Sequence, residues 1–375
     1  MNKNILVTGG AGFIGSFLVD KLISQGYRVK ILDNLDFQVH QGKVPAYLNK
    51  KVNFINGDVT SLKTFKEVLK EVEVVFHLAA KVGVAQSNYK VKDYIDTNIG
   101  GMGNLLNALV NSKNCVKKVI MTASMTSYGE GDCHCSSCDR VKPSLRTLDQ
   151  LKNKKWELIC PLCGKIVKPI PTNENSSLTQ NSIYSISKGV QEQLLFYIGK
   201  TYKIPVVSLR CFNVYGPRQS LSNPYTGVSA IFISRLKNNH QPVIYEDGLQ
   251  TRDFVSVHDV VDALILAMNK REANYQVFNI GSGEPKTIKQ IASVLAKLLK
   301  KDIDPKINGE YRLNDIRHCY ADISKAKNFL KWQPRISFKE GMTELINWSN
   351  NQEANDLFVK ASHELIKRKL TNEKD

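Results

Sequence analysis

No stretch of this 375-residue chain approaches the ~20 consecutive apolar residues that a membrane-spanning helix needs. The first apolar run, Ile5-Leu6-Val7, is too short for a signal-peptide core. A glycine-rich turn at Gly9 follows it, so it reads as a buried strand. Internal repeats and low-complexity linkers are also missing, which excludes solenoids and tethered arrays. The net charge is +17, yet there is no compact basic block interleaved with aromatics. The lysines are scattered, thickening only near Lys297 to Lys306 and at the carboxyl end. Such a spread suits a polyanionic substrate better than nucleic acid as the main partner. The expected location is cytoplasmic, where the eight cysteines stay reduced rather than paired.

What is present is a rhythm. Strands are expected at Asn4–Thr8, Arg28–Asp33, Val52–Asn56, Val74–Leu78 and Lys118–Thr122. Helices are expected at Phe13–Gln25, Ser61–Lys70 and Asp93–Ser112. Such alternation implies an α/β fold with a parallel, doubly wound sheet covered on both faces. From about Gly131 to Pro171 the rhythm fails in a polar, cysteine-rich stretch read as an insertion. It resumes with a helix at Ile183–Tyr202 and a strand at Val206–Cys211. The tail adds helices at Thr287–Leu299 and Ser324–Leu330, with another segment after Phe338.

Two patterns carry chemistry. Thr8-Gly9-Gly10-Ala11-Gly12-Phe13-Ile14-Gly15 links the first strand to the first helix. Gly9, Gly12 and Gly15 allow a tight turn and close approach of a pyrophosphate, which the helix N-terminus at Phe13 and Ile14 favours. The second strand ends at Asp33, where a carboxylate can bind ribose hydroxyls and would repel a 2′-phosphate. No arginine follows in Asn34-Leu35-Asp36, so NAD is favoured over NADP. The second pattern is Tyr184-Ser185-Ile186-Ser187-Lys188. At i and i+4 on a helix the phenol and ammonium share a face, and the ammonium is expected to lower the phenol's pKa toward general-base work. Ser124 closes a strand at the sheet edge where doubly wound folds place ligands.

With these residues together, the chain resembles the extended short-chain dehydrogenase/reductases. The likeness runs through TGGAGFIG at 8–15, Asp58-Val59, His77-Leu78-Ala79-Ala80, Asn98, Ser124, Tyr128-Gly129 and YSISK at 184–188. It continues in LRCFNVYGPRQ at 209–219, Arg252-Asp253-Phe254-Val255, and Asp315-Ile316-Arg317-His318 before Ala321-Asp322-Ile323-Ser324. The resemblance implies that Asn34, Asp58, Val59, Leu78, Ala79, Ala80 and Asn98 join the glycines, Asp33, Tyr184 and Lys188 around NAD. Ser124, Tyr184 and Lys188 become the catalytic set. Asn213 faces the substrate, and Arg252 and Arg317 clamp its diphosphate. It divides the chain into an NAD-binding Rossmann domain (1–130 and 172–212, with further elements near 237–266), the insertion (131–171), and a smaller nucleotide-sugar-binding α/β domain (213–236 and 267–375).

The reaction implied is a 4-epimerisation. Tyr184 takes the proton of a sugar hydroxyl that Ser124 holds, a 4-keto sugar forms, and reduction on its other face completes the cycle without net use of NAD. Dehydratases and decarboxylases of this family place an acidic residue directly after the catalytic Ser/Thr. Met125 and Thr126 stand there instead, which disfavours elimination. Cys211 replaces the aromatic usual before Phe212-Asn213. Alternatives are another 4-epimerase substrate, UDP-glucose/galactose or a UDP-uronic acid, and an NAD(P)H-dependent 4-keto-sugar reductase. From another class comes a non-catalytic NAD-sensing or nucleic-acid-binding protein, against which the intact Ser124, Tyr184 and Lys188 argue. A homodimer built on helices Asp93–Ser112 and Ile183–Tyr202 is also implied, with Leu105, Leu109, Leu194 and Tyr197 as face or core positions.

In the insertion, Cys135-Ser-Ser-Cys138 and Cys160-Pro-Leu-Cys163-Gly164 have the spacing of a zinc ribbon. Four thiolates at Cys135, Cys138, Cys160 and Cys163 would close a structural tetrahedral zinc site, with Cys133 and His134 as alternative ligands, Cys133 the spare, and a loop of free thiols or an iron site as the rival. Chain order alone places the insertion between Ser124 and Tyr184, where it is expected to cap the active site. Such an insertion, with Leu32-Asp33-Asn34-Leu35-Asp36 and Ser222-Asn223-Pro224-Tyr225-Thr226-Gly227-Val228, is similar to a bacterial sub-family that interconverts dTDP-L-rhamnose and dTDP-6-deoxy-L-talose.

Overall fold

The computed structural model describes residues 3–372. Its centre is a seven-stranded parallel sheet in the order Gln276–Ile280, Val206–Cys211, Lys118–Ser124, Val74–His77, Asn4–Thr8, Arg28–Asp33 and Asn53–Asn56. Strand Lys118–Ser124 is buried along its whole length, as a parallel strand covered on both faces must be. Successive residues of the first strand feed opposite cores. Ile5 and Val7 pack with Leu18, Leu22, Val260 and Leu264, whereas Leu6 packs with Phe65, Met102, Leu105 and Leu195. Period-two alternation thus places helices Phe13–Ser24 and Val257–Asn269 on one face, with Leu62–Val68, Gly101–Asn111 and Ile183–Thr201 on the other. The strand order reverses between Asn4–Thr8 and Val74–His77, which opens a crevice at their carboxyl ends.

A second sheet pairs Thr251–Ser256 with Asn213–Tyr215, Pro285–Thr287 and His318–Cys319. Its core is shared with helices Val228–Lys237, Ile288–Leu298 and Phe338–Asn350. The domain division expected above needs one correction. Gln276–Ile280 pairs in parallel with Val206–Cys211, and Ile323, Ala326, Leu330 and Trp332 pack in the same core as Val260 and Phe278, so the chain returns to the large domain twice after residue 267. Helix Val257–Asn269 packs against Phe13–Ser24 and delivers that strand to the sheet edge.

The expected long helix Asp93–Ser112 is interrupted by a π-turn at Ile95–Gly100. Ala326–Leu330 is likewise a π-turn. Leu105 and Leu109 are core residues at 0% and 6% exposure. Residues 131–171 form a separate small body, a three-stranded antiparallel sheet of Asp139–Val141, Cys133–Cys135 and Lys168–Pro169. Its own core holds Cys133, Cys135, Val141, Leu158, Cys160 and Val167.

Candidate active site

The crevice at the switch point opens into a cavity of about 260 Å³ lined by Gly9, Gly12, Phe13, Ile14, Gly15, Asp33, Asn34, Val59, Leu78, Ala79 and Ala80 among others. Gly9 has φ +69°, and a Cβ there would lie 2.8 Å from the Ala79 nitrogen. A Cβ on Gly15 would meet the Gly9 carbonyl oxygen at 2.1 Å. No side chain caps the helix that starts after Gly12, so its first N–H groups face the crevice for an anion. Asp33 orders this loop: Oδ2 accepts from the Ala11 amide at 3.0 Å and Oδ1 from the Leu35 amide at 2.9 Å.

Two expected cofactor residues stand back from the cavity. Asp58 does not line it. Its carboxylate accepts from Asn34 Nδ2 at 2.7 Å and the Thr60 amide at 2.8 Å, and these bonds outweigh burial and hold its pKa low. Asn98 is fully buried at the π-turn. It accepts from the Lys81 amide at 2.8 Å and donates to Ser187 Oγ at 2.8 Å. It therefore ties the Ala79–Lys81 loop to the Tyr184 helix. Sequence reasoning missed Arg218, which lines the cavity, is fixed by Asp20 at 2.8 Å, and lies over the rings of Phe17 and Tyr47.

A second cleft of about 430 Å³ adjoins the first and contains Ser124, Met125, Thr126, Tyr184, Asn213 and Arg252 in its lining. Ser182 starts the helix Ile183–Thr201 with a capping box, which aims Tyr184 from the first turn into the cleft. The Tyr184 amide donates to Ser87 Oγ at 3.0 Å. Ser124 caps the short helix Met125–Tyr128 and accepts from Thr126 Oγ1 at 2.9 Å, so Thr126 orients the hydroxyl beside Tyr184. Asn213 Oδ1 is buried without a hydrogen-bond partner.

The electrostatics differ from the simple expectation for a Tyr-x-x-x-Lys pair. Burial pushes the Tyr184 phenol up to about 12, and the Ser124 hydroxyl pulls it down. Burial pushes the Lys188 ammonium down to about 8, opposed by Cys211 and Glu192. Lys188 is not among the groups that lower the phenol. It is buried at 3% exposure, within electrostatic reach of His77 and Cys211, lines neither cavity, and makes no hydrogen bond or ion pair among the described residues. A buried ammonium without a partner, together with a crevice whose Gly9 and Gly15 leave no room for a Cβ, fits a dinucleotide cofactor.

The arginines also depart from expectation. Arg252 lines the cleft, but Arg317 does not. Its side chain is fully buried and bound to Glu157, Glu246 and Asp247 at 2.6, 2.9 and 2.7 Å. The diphosphate role expected of Arg317 is therefore corrected. Arg317 directly precedes the strand His318–Cys319 and is held inward by these carboxylates, and Arg312, five residues earlier, lines the cleft, stacked 4.5 Å over Tyr245. The insertion lines neither cavity, so it is not a cap over the substrate. The cleft instead takes Phe358, Ala361, Ser362 and Leu365 from the last helix, Phe358–Lys367. Glu364 of that helix accepts from Tyr89 at 2.6 Å and Tyr225 at 2.8 Å.

Fold and site together define an enzyme that holds a dinucleotide against a Ser/Tyr pair in a two-part crevice. The chain belongs to the NAD dependent epimerase/dehydratase family, whose model matches residues 5–145 and 162–281. It is 35% identical over 354 residues to a dTDP-L-rhamnose 4-epimerase of Burkholderia thailandensis, covering 92% of this chain and 94% of that one. Among solved structures it is similar to a UDP-glucose 4-epimerase of Thermotoga maritima with UDP-glucose, at TM-score 0.76 and 34% identity, covering 92% and 98% of the two chains. A UDP-glucuronic acid 4-epimerase of Bacillus cereus with UDP-glucuronic acid and NAD gives TM-score 0.75 and 27% identity, covering 92% and 99%. The expectation of an NAD-dependent nucleotide-sugar epimerase is met.

Proposed function

We propose that the protein epimerises a nucleotide-diphosphate sugar at C4, and that its pair is dTDP-L-rhamnose and dTDP-6-deoxy-L-talose. The observation that carries the reading is the lining around Tyr184. Val82, Gly83, Val84, Ala85, Met125 and Phe212 give an apolar wall that suits a 6-methyl group and offers no cation to a uronate. The one carboxylate among the lining residues is Asp315, which Arg252 engages at 3.1 Å. No acid therefore stands beside Ser124 to expel water or assist decarboxylation, and oxidation followed by re-reduction at C4 is what remains. The likeness to the Burkholderia enzyme supports the dTDP sugar, and the likeness to the Thermotoga enzyme supports UDP-glucose as the second reading.

In this scheme Tyr184 withdraws the proton of the C4 hydroxyl while Ser124 holds the oxygen. Arg252, Arg312 and Asn213 fix the diphosphate and sugar. NAD, when bound, would supply the hydride acceptor and donor, and its positive ring would lower the phenol's pKa. Lys188 would offer its three donors to the ribose beneath. Residues 1–130, 172–212 and 257–280 would carry the cofactor and the remainder the sugar nucleotide. The same reading assigns a structural zinc ion to Cys135, Cys138, Cys160 and Cys163, supported by sulfurs all within 4.8 Å of one another. Sulfurs on one tetrahedral zinc lie about 3.8 Å apart. It also takes the chain to be a homodimer, joined at a face where Val91, Ile95, Ile186 and Tyr197 are exposed. All eight cysteines are free, in keeping with a cytoplasmic place. The experiment is incubation with dTDP-L-rhamnose or UDP-galactose and no added cofactor, with the sugar H1 and H4 signals followed by NMR. Conversion of the dTDP sugar supports the proposal, conversion of UDP-galactose alone transfers it to the second reading, and conversion of neither overturns it.

A further inference from the structure

The insertion lines neither ligand cavity, yet it supplies two charged side chains to an ionic cluster built around the fully buried Arg317. Arg146 pairs with Glu246 at 2.8 Å, both nearly inaccessible, and donates to the Asp315 carbonyl at 3.0 Å. Glu157 binds Arg317 Nη2 at 2.6 Å and His318 Nε2 at 3.3 Å. Arg317 in turn grips Glu246 and Asp247. The backbone amides of Arg317 and His318 donate to Glu130 at 2.8 and 3.1 Å. Residues 315–318 are thus held from behind on every side.

On its front, that same backbone sets the guanidinium of Arg252. Arg252 donates to the carbonyls of Ile316 at 2.6 Å and Arg317 at 3.1 Å, and to Asp315 Oδ1 at 3.1 Å. Tyr245, on which Arg312 stacks, directly precedes Glu246. Both cleft arginines are therefore mounted on segments that the insertion clamps. Glu157 itself is held on a hairpin beside the thiol cluster, where the Val167 amide donates to the Leu158 carbonyl at 3.0 Å.

We infer that Glu157 is a positioning residue for the diphosphate subsite, through which the cysteine-rich insertion sets the aim of Arg252 and Arg312. This rests on reading the cleft as a nucleoside-diphosphate site. The sign of the effect separates positioning from plain electrostatics. Removing an anion near a phosphate subsite strengthens anion binding by Coulomb attraction alone, whereas loosening the arginines weakens it. The His318 and Arg317 hydrogen bonds hold the Glu157 carboxyl down at about 2, so it is charged under all assay conditions. Its side chain is 41% exposed and Arg317 keeps Glu246 and Asp247 as partners, so Glu157→Gln is expected to leave the fold intact.

The test is calorimetry on the NAD-loaded enzyme with dTDP, UDP and thymidine as probes, for wild type, Glu157→Gln and Asp149→Asn. Asp149 is exposed on the same insertion and controls for the change of charge. Glu157→Gln is expected to weaken dTDP about fivefold, to raise KM for the sugar nucleotide by the same factor, and to leave thymidine binding, kcat and NAD content unchanged. Asp149→Asn is expected to leave dTDP binding unchanged or slightly tighter. Equal or tighter dTDP binding by Glu157→Gln would overturn the inference. So would a matching loss of thymidine affinity or of NAD, which would mark Glu157 as merely structural. A wild type that binds neither nucleoside diphosphate would remove the subsite itself, and with it the proposed function.

Discussion

Replacing Lys188 by Met should make the NAD-free protein more stable and leave the enzyme nearly inactive. The ammonium is buried at 3% exposure without an ion-pair partner, and burial brings it from the ordinary 10.5 down to about 8. A displacement of that size means the charged form costs the folded state on the order of 3 kcal/mol. The direction in pH follows. Between pH 8 and 10.5 the unfolded chain holds this proton and the folded chain does not, so wild-type stability gains from this residue as pH rises through that window. Below pH 8 the full penalty is present. Met fills the same volume without the charge, so with both proteins stripped of NAD, Lys188→Met should melt about 4 °C higher than wild type at pH 7 for a chain of this length. That advantage should shrink toward zero by pH 10.5. Lys118, pushed down to about 8 by burial, titrates in both proteins and cancels in the difference. Turnover should fall about a hundredfold or more. Thermal melts of both proteins from pH 6 to 10 test the reasoning, and it fails if the variant melts at or below wild type at pH 7, or if the gap does not narrow with pH.

Tyr184→Phe should abolish conversion while NAD still co-purifies, as read from the absorbance of released cofactor; retained turnover would move the base elsewhere. Gly15→Ala forces a methyl to within 2.1 Å of the Gly9 carbonyl, a backbone atom that cannot yield locally. A strain of about 1–3 kcal/mol exceeds the ~1 kcal/mol gained in helix propensity, so the melting temperature and the bound NAD should both fall; unchanged NAD content would mean the loop is not the cradle. Cys160→Ser should lose metal by elemental analysis and lower the melting temperature, with NAD content kept. A variant with normal zinc content refutes the four-thiolate site.

Much of the site lay within reach of sequence because its parts are local. The glycine loop, the strand end at Asp33 and the Tyr184–Lys188 pair depend on positions a few residues apart, or on one strand–helix unit whose geometry the backbone dictates. The two C-x-x-C knuckles are local too, although only folding brings Cys135 within 3.5 Å of Cys163. Asn98 was legible as a motif but not in its role. A π-turn turns its amide toward Lys81 and Ser187, which no helical periodicity foretells.

The sequence by itself determined six of the seven strands of the sheet, the phosphate-binding turn and the candidate reacting groups, because each follows from short-range sterics and from the period of apolar residues, whereas the edge strand Gln276–Ile280 was not legible. Only the tertiary structure decided which guanidinium faces the cleft. The linear reading chose Arg317 and passed over Arg312, but the fold turns Arg317 inward onto three carboxylates and leaves Arg312 at the cavity. The same long-range packing seated the insertion behind the substrate cleft rather than over it, and brought the last helix round to form the cleft's far wall. Such placements depend on contacts between segments more than a hundred residues apart, such as Glu157 with Arg317, and no local spacing carries that information.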